Sequence, residues 1–351
     1  MTPGHGRPMS PKAVAEPAAE TLAQAAAPHR PGRAFALALA GLLALALASL
    51  LTGSGALSLD ALVSGDPQGH AALVLMASRV PRTLSLLFSG MSMGVCAALM
   101  QMLFRNRFVE PTTAGTAEAA TLGLLAAALL APGLPMLGKM GGAAAFALAG
   151  TLLFLKLVER IGYRQTVMLP LVGLMLGGVI NAVTTFFAYR YDLLQSLAAW
   201  TNGDFSGVLR GRYELLWINV ALALAAYLAA DRFTVAGLGD AVARNLGLDY
   251  GRTVAIGVTI VALATAACIV TAGTVPFLGL LVANVVGLVM GDNLRRTLPW
   301  IALSGAAFLL ACDMIGRLVR YPYEIPVGSV AGVVGSAVFL YLLLRRRDRL
   351  G

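Results

Sequence analysis

Long apolar stretches recur along almost the whole chain, and they leave few folds open. They fall at about 34–51, 71–104, 113–131, 136–158, 166–189, 213–230, 252–271, 275–290, 298–316 and 327–344, with the bilayer portion of the second beginning near Thr83. Crossing ~30 Å of hydrocarbon takes roughly 20 apolar residues in a helix. Inside a bilayer each backbone N–H and C=O must be satisfied within its own segment or in a closed barrel. Barrel strands read as ~10-residue segments of alternating polarity, a pattern this sequence lacks. The expected class is therefore all-α, a polytopic transmembrane helical bundle of about ten spans over residues 34–345. Residues 1–33, rich in Ala and Pro, read as a flexible cytoplasmic tail, and 346–351 as a basic cytoplasmic end.

Composition supports this and removes other classes. Hydrophobic residues make up 58% of the chain and charged ones 12%, half of the ~25% charge usual in soluble domains. The net charge of +9 does not point to nucleic acid, because the basic residues sit between apolar runs, where they act as topology signals. With the N-terminus in the cytoplasm, 18 of the 26 Lys and Arg residues fall inside and 8 outside. An even number of spans then puts both termini inside. Cys96, Cys268 and Cys312 are isolated in apolar segments and read as small buried hydrophobes. The histidines His5, His29 and His70 are too widely separated to form a metal site, so no metal and no cofactor are expected.

Two connections exceed a tight turn. Residues 190–212 would lie outside and mix charge, aromatics and glycine; residues 231–252 would lie inside as short amphipathic helices broken by glycine. No soluble domain is visible, so the energy for any transport must come from another chain. The run from Gly133 to Lys139 has phosphate-loop spacing, but Met140 stands where Ser or Thr would hold Mg²⁺ and no strand precedes it. The chain is expected to be no enzyme.

Gly-x-x-x-Gly spacings at Gly90/Gly94, Gly173/Gly177, Gly287/Gly291 and Gly328/Gly332 suit close helix packing, or helix faces that slide. Polar residues within spans are costly. Asn181 and Asn284 read as interhelical hydrogen-bonding groups or as pathway residues; Gln101 is a further such group. Glu118 lies within reach of Arg105 or Arg107. Asp313 and Arg317 are one helical turn apart and should pair. In Arg79-Val80-Pro81-Arg82 the proline suits a first helical turn, and the two arginines share a face. They would either anchor lipid phosphate or make forked bonds to carboxylates of an external protein.

These residues resemble the FecCD family of permeases, which import iron–siderophores, haem and cobalamin. The resemblance runs from about residue 72 to 345 through Arg79–Leu84, Gln101–Asn106, Leu246-Gly247-Leu248, Pro276–Leu280, Asp313 with Arg317, Glu324–Gly328 and Gly332–Gly335. It implies a ten-helix subunit of the type II ABC importer fold in the inner (plasma) membrane. It also implies a second permease subunit (a copy or a paralogue), two ATPase subunits that bind the ATP, and a periplasmic or lipoprotein substrate-binding protein. By motif position, Arg79, Arg82 and Arg317 would receive acidic residues of the binding protein. Leu238, Gly239, Ala243, Leu246 and Gly247, within a coupling segment at about 237–249, would dock on the ATPase. Pro276, Asn181 and Asn284 stand as possible pathway or gating positions.

The stretches Asn106–Pro111 and Gly203–Gly207 look most like permeases for ferric catecholate siderophores. The family usually carries Pro where Ala283 precedes Asn284. A helix interior gains roughly 3 kcal/mol by that exchange, so a kink there should be softened. The function implied is a permease subunit translocating an iron–siderophore chelate, with cobalamin or haem as the alternative cargo. An ion-coupled secondary transporter would place ionisable groups at mid-span and show paired broken helices, and those features are scarce here.

Overall fold

The computed structural model describes residues 31–52, 70–161, 168–320 and 323–345. The expected tail lies outside them except for its last three residues, which already belong to the first helix; the basic end 346–351 also lies outside. The elements are α1 (Pro31–Leu51), α2 (His70–Val74), a π-turn (Leu75–Arg79), α3 (Val80–Leu103), α4 (Thr116–Leu130) and α5 (Met136–Ile161). There follow α6 (Met168–Arg190), α7 (Leu194–Thr201), a 3₁₀ turn (Tyr213–Leu216), α8 (Trp217–Leu228), α9 (Ala230–Ala236) and α10 (Asp240–Asn245). The last four are α11 (Tyr250–Thr271), α12 (Leu278–Met290), α13 (Leu294–Leu318) and α14 (Val327–Arg345). No strand occurs among the described residues. Each apolar run of the sequence has become helix.

Six helical segments are long and apolar enough to cross a membrane, or seven if the pair Tyr213–Leu228 and Ala230–Ala236, bent by 62°, counts as one crossing. Thr116–Leu130, Leu278–Met290 and Val327–Leu342 are apolar but shorter. By contact density the chain divides into Met1–Gly41 and Leu42–Gly351. Of the first unit the described residues are the opening turns of α1. All that follows concerns the second.

In that unit α3 and α11 are the central helices, buried along most of their length. One core cluster gathers Leu99, Phe104, Phe154, Phe233, Val261 and Ile301. A second gathers Leu86, Leu124, Phe205, Leu216, Ile269 and Leu309. Backbones approach closely where side chains are missing. A Cβ on Gly90 would run into the Gly305 carbonyl, and one on Gly94 would lie 3.1 Å from Ile301. That stripe seats α3 against α13. Gly173 abuts Thr113 and Ala114, and Gly328 abuts Asn202 and Thr274. The Gly287/Gly291 pair faces no other helix, with nothing within 4 Å of a Cβ on Gly291, so close packing explains three of the four spacings.

Polar side chains key the oily helices to one another. Asn219 of α8 donates to Ser92 Oγ of α3 at 3.0 Å and to Cys268 Sγ of α11 at 3.2 Å. All three cysteines are buried thiols, as their apolar surroundings implied.

Candidate functional site

At one end of the bundle, α3 begins after a π-turn with Pro81 in its first turn, which carries Arg79 and Arg82 inward beside α13. Arg82 holds two carboxylates: Nη2 donates to Asp313 Oδ1 at 2.7 Å and Nη1 to Glu324 Oε2 at 2.6 Å. Asp313, fully buried, also pairs with Arg317 one turn further on. The expected i,i+4 pair is therefore present, and Arg82 shares its carboxylate. Arg317 donates to the carbonyls of Ser49 at 3.1 Å and Thr52 at 2.8 Å. Arg79 donates to those of Leu50 at 3.0 Å and Leu51 at 3.3 Å. These are the orphan carbonyls at the C-terminus of α1, where cations are favoured by unsatisfied C=O groups and the helix dipole. Arg79 and Arg317 are buried; Arg82 and Glu324 reach the surface, with side chains 11% and 29% exposed.

Between α3 and α4 the chain folds back along α3. Asn106 Oδ1 accepts from Phe108 N at 2.9 Å, an Asx turn that follows Arg105 in left-handed backbone (φ 50°). The loop delivers Glu110, 1% exposed, to the start of α12. There its carboxylate accepts from Leu280 N at 2.7 Å, Phe277 N at 3.2 Å and Thr112 Oγ1 at 2.6 Å. Acid at a helix N-terminus answers both the orphan amides and the positive dipole end. Gly279 packs on Met93 and Ala97, which lie ~9–15 Å along the axis from the end of α3 at 1.5 Å per residue. Helix α12 thus starts inside the bundle. Its length of 13 residues corresponds to ~20 Å.

Asn284 of α12 donates to the carbonyl of Arg107 in the fold-back loop at 2.8 Å and to Leu280 O of its own helix at 2.7 Å, so its bonds join helix to loop and not helix to helix. Helix α12 runs without interruption through Ala283, where the family's usual proline would have removed a backbone donor. Asn181 differs. It is exposed on α6, beside the exposed Val179 and Val183. Pro276 lines an open depression of about 700 Å³ together with Phe277, Gly328, Gly332 and Ser336. Glu118 does not reach the arginines as expected. Its Oε2 is without a hydrogen-bond partner, it packs near Gly177, and Arg107 instead bonds Asp292 at 3.1 Å. The π-turn and the fold-back loop turn these chains along directions that straight-helix spacing did not foresee.

At the end opposite the arginines, α9 and α10 form a short connection. Gly239, at φ 104°, opens α10, and Gly247, at φ 79°, follows its end, so both turns use the freedom glycine has at positive φ. Asp240 pairs with Arg244 at 2.6 Å, and its hydrogen bond raises the arginine's affinity for its proton. Leu238 is 58% exposed and Leu246 65% exposed, while Ala243 is fully buried. Of the sequence-derived coupling positions, the leucines face outward and Ala243 anchors the segment. The connection is tied to the start of α13. Leu294 N donates to Thr234 Oγ1 of α9 at 3.2 Å, while the neighbouring Arg295 lies over the ring of Tyr227 on α8 at 4.6 Å. Gly237 lies against Met102 and Gly239 against Arg105, so the end of α3 touches it directly.

Sequence reasoning took Asn106–Pro111 and Gly203–Gly207 as markers of cargo. In the structure Glu110 caps a helix and Phe205 is 1% exposed in the core. A carboxylate beside proline in a short break between two apolar runs was the signal available for the cap, but its partners lie 167 and 170 residues away.

The model of the FecCD transport family matches residues 41–345. The petrobactin import system permease protein YclN of Bacillus subtilis is 49% identical over 282 residues, covering 80% of this chain and 89% of the relative. The ferric-anguibactin transport system permease protein FatD of Vibrio anguillarum is 40% identical over 273 residues, covering 78% and 87%. Among solved structures, a metal-chelate type ABC transporter in an inward-facing conformation has TM-score 0.74 at 21% identity, over 90% of this chain and 99% of the other. That last similarity is one of fold.

Proposed function

The chain belongs to the FecCD transport family, and from that premise we propose that it is the membrane-spanning subunit of an ABC importer for a ferric siderophore, with a catecholate chelate as cargo. The observation that carries this reading is the similarity to a petrobactin import permease across nearly the full length of that relative. The catecholate class rests on the Asn106–Pro111 and Gly203–Gly207 resemblance. The chelator itself supplies the iron ligands, so the pathway needs none.

In this reading the protein sits in the inner membrane with both termini in the cytoplasm. The six long helices, the bent pair and the three shorter apolar helices make ten membrane-inserted segments. A second permease subunit, identical or paralogous, packs beside this one. The exposed apolar faces of α6 (Leu174, Val179, Phe186) and α14 (Val333, Leu340) are available to it and to lipid. Two ATPase subunits bind and hydrolyse the ATP and dock on Leu238 and Leu246, with Gly239 and Gly247 setting the turns and Ala243 the anchor. A soluble or lipoprotein binding protein delivers the chelate at the arginine end. There Arg82 exchanges Glu324 for acidic groups of the partner, backed by Arg79 and Arg317. Pro276 and Asn181 border the route of the cargo.

The test is uptake of radiolabelled iron, presented on a panel of siderophores, in a strain lacking this chain. Restoration by the chain of uptake from ferric catecholates supports the reading. Restoration of cobalamin or haem uptake instead, or uptake driven by an ion gradient in vesicles without ATPase subunits, would overturn it.

A further inference from the structure

The chain that leads into the 3₁₀ turn presents two arginines on a fixed backbone. Pro81 lacks the N–H that would reach back to the Ala77 carbonyl, and Arg210 N donates there at 3.0 Å. Gly211 N donates to Glu214 Oε1 at 2.9 Å, and Arg212 N to the Leu209 carbonyl at 3.1 Å. Gly211 lies at φ 96°, a conformation glycine adopts freely, and turns the chain between the two arginines. Three successive amides are therefore bonded. Both arginines are exposed, and among the described residues neither side chain has an ion pair, hydrogen bond or ring partner.

Other arginines of this end are engaged. Arg79 and Arg317 hold carbonyls of α1, Arg82 holds Asp313 and Glu324, and Arg320 lies over the Tyr323 ring at 5.9 Å. The nearby acids are turned to the main chain: Glu214 takes the Gly211 amide and Asp204 that of Ser206. We propose that Arg210 and Arg212 form, beside Arg82, a docking surface for carboxylates of a soluble acidic protein. Ala77, which seats Arg210, precedes Arg82 by roughly 7 Å along the helix axis at 1.5 Å per residue, so the two contacts are continuous.

With this end outside, as proposed above, the two arginines fall where membrane proteins carry few Lys and Arg, so their presence needs a use. Fixed spacing decides between partners. Carboxylates on a folded protein can be matched by pre-organised guanidinium groups making forked bonds. Headgroup phosphates in a fluid leaflet gain nothing from such spacing. Leu209, 48% exposed, adds an apolar contact beside the charges. That the partner is the protein delivering the chelate rests on the proposed function; that the patch takes carboxylates does not.

The experiment uses the full chain in phosphatidylcholine nanodiscs, with Leu209→Cys carrying an environment-sensitive dye; the native thiols Cys96, Cys268 and Cys312 are buried and escape labelling. The probe is a hexaglutamate peptide. The proposal requires a saturable dye response that weakens as salt rises. Affinity should fall about fivefold when Arg210→Gln and Arg212→Gln are combined, as loss of two solvent-facing ion pairs would give. Neither side chain bonds within the chain, so the double variant should keep the parent's unfolding midpoint. Arg190→Gln, at an exposed arginine of α6, should leave the response alone. No response, or one that the double variant keeps, would overturn the surface. So would a dye shift that phosphatidylglycerol in the disc produces and the peptide cannot reverse, which gives the patch to lipid. Delivery is read separately, as cellular uptake of iron from a limiting ferric catecholate. The double variant should lower it, and full uptake would remove the delivering protein as the partner. If the parent chain itself imports no catecholate, the proposed cargo fails, and the dye titration still decides the surface.

Discussion

The arginine end of the bundle and the buried start of α12 are held by different kinds of bond. At the arginine end, charges meet charges: Arg82, Asp313, Arg317 and Glu324 form one cluster, with Arg79 and Arg317 on the last carbonyls of α1. At the start of α12, one carboxylate meets backbone: Glu110 receives the amides of Phe277 and Leu280. A side-chain ion pair can be exchanged for another of similar energy when a partner offers acidic groups. A cap on main-chain amides has no substitute nearby. The first arrangement suits a surface that is engaged and released, the second a joint that must stay fixed while helices move around it.

Substitutions can break that contrast. The largest effect is expected from Asp313→Ala, which leaves the buried Arg317 without its carboxylate and Arg82 with Glu324 alone. Losing one partner of a buried pair costs about 3–5 kcal/mol, to be read as a fall in the denaturation midpoint of the purified chain. A loss near that of an exposed pair would mean that water reaches the cluster. Next comes Glu110→Ala, which leaves two buried amides unmet at about 2 kcal/mol. Hydrogen exchange should then speed at Leu280 and spare the centre of α13. Uniform acceleration across the chain would deny α12 its separate anchorage.

Glu324→Gln should cost under about 1 kcal/mol, as partly exposed pairs do, with an effect that shrinks as salt rises. If Arg82 is the docking group, the same variant should bind the acidic partner more tightly; weaker binding would show that Glu324 itself makes the contact. Smallest in stability is Leu246→Asp, a change on an exposed leucine of the α9–α10 connection. The unfolding midpoint should hold while uptake and partner-stimulated ATPase activity fall. Retained uptake would remove α10 from the coupling route.

Local composition made the helices readable, because a membrane span must be apolar over most of its length whatever it packs against. The Asp313–Arg317 pair was readable for a related reason: helical periodicity alone brings the two together. What stayed hidden depends on distant partners. Arg82 finds Asp313 231 residues away, and no spacing rule reaches that far. Glu118 was matched to Arg105 and Arg107 on proximity in sequence, but the loop after α3 doubles back and gives Arg107 to Asp292. Of the three arginines expected at a protein contact, the sequence had no way to show that two are turned inward onto the end of α1.

Asn219 bears on how such a chain can assemble at all. Among lipid tails a leucine is nearly as content facing outward as inward, so greasy surface gives α8 little reason to choose its rotation. Turning that helix by a single residue, about 100° at 3.6 residues per turn, would swing the amide of Asn219 away from Ser92 and Cys268 and out toward hydrocarbon. One side chain thereby works as an alignment pin, seated when the rod is inserted the right way round and jammed otherwise.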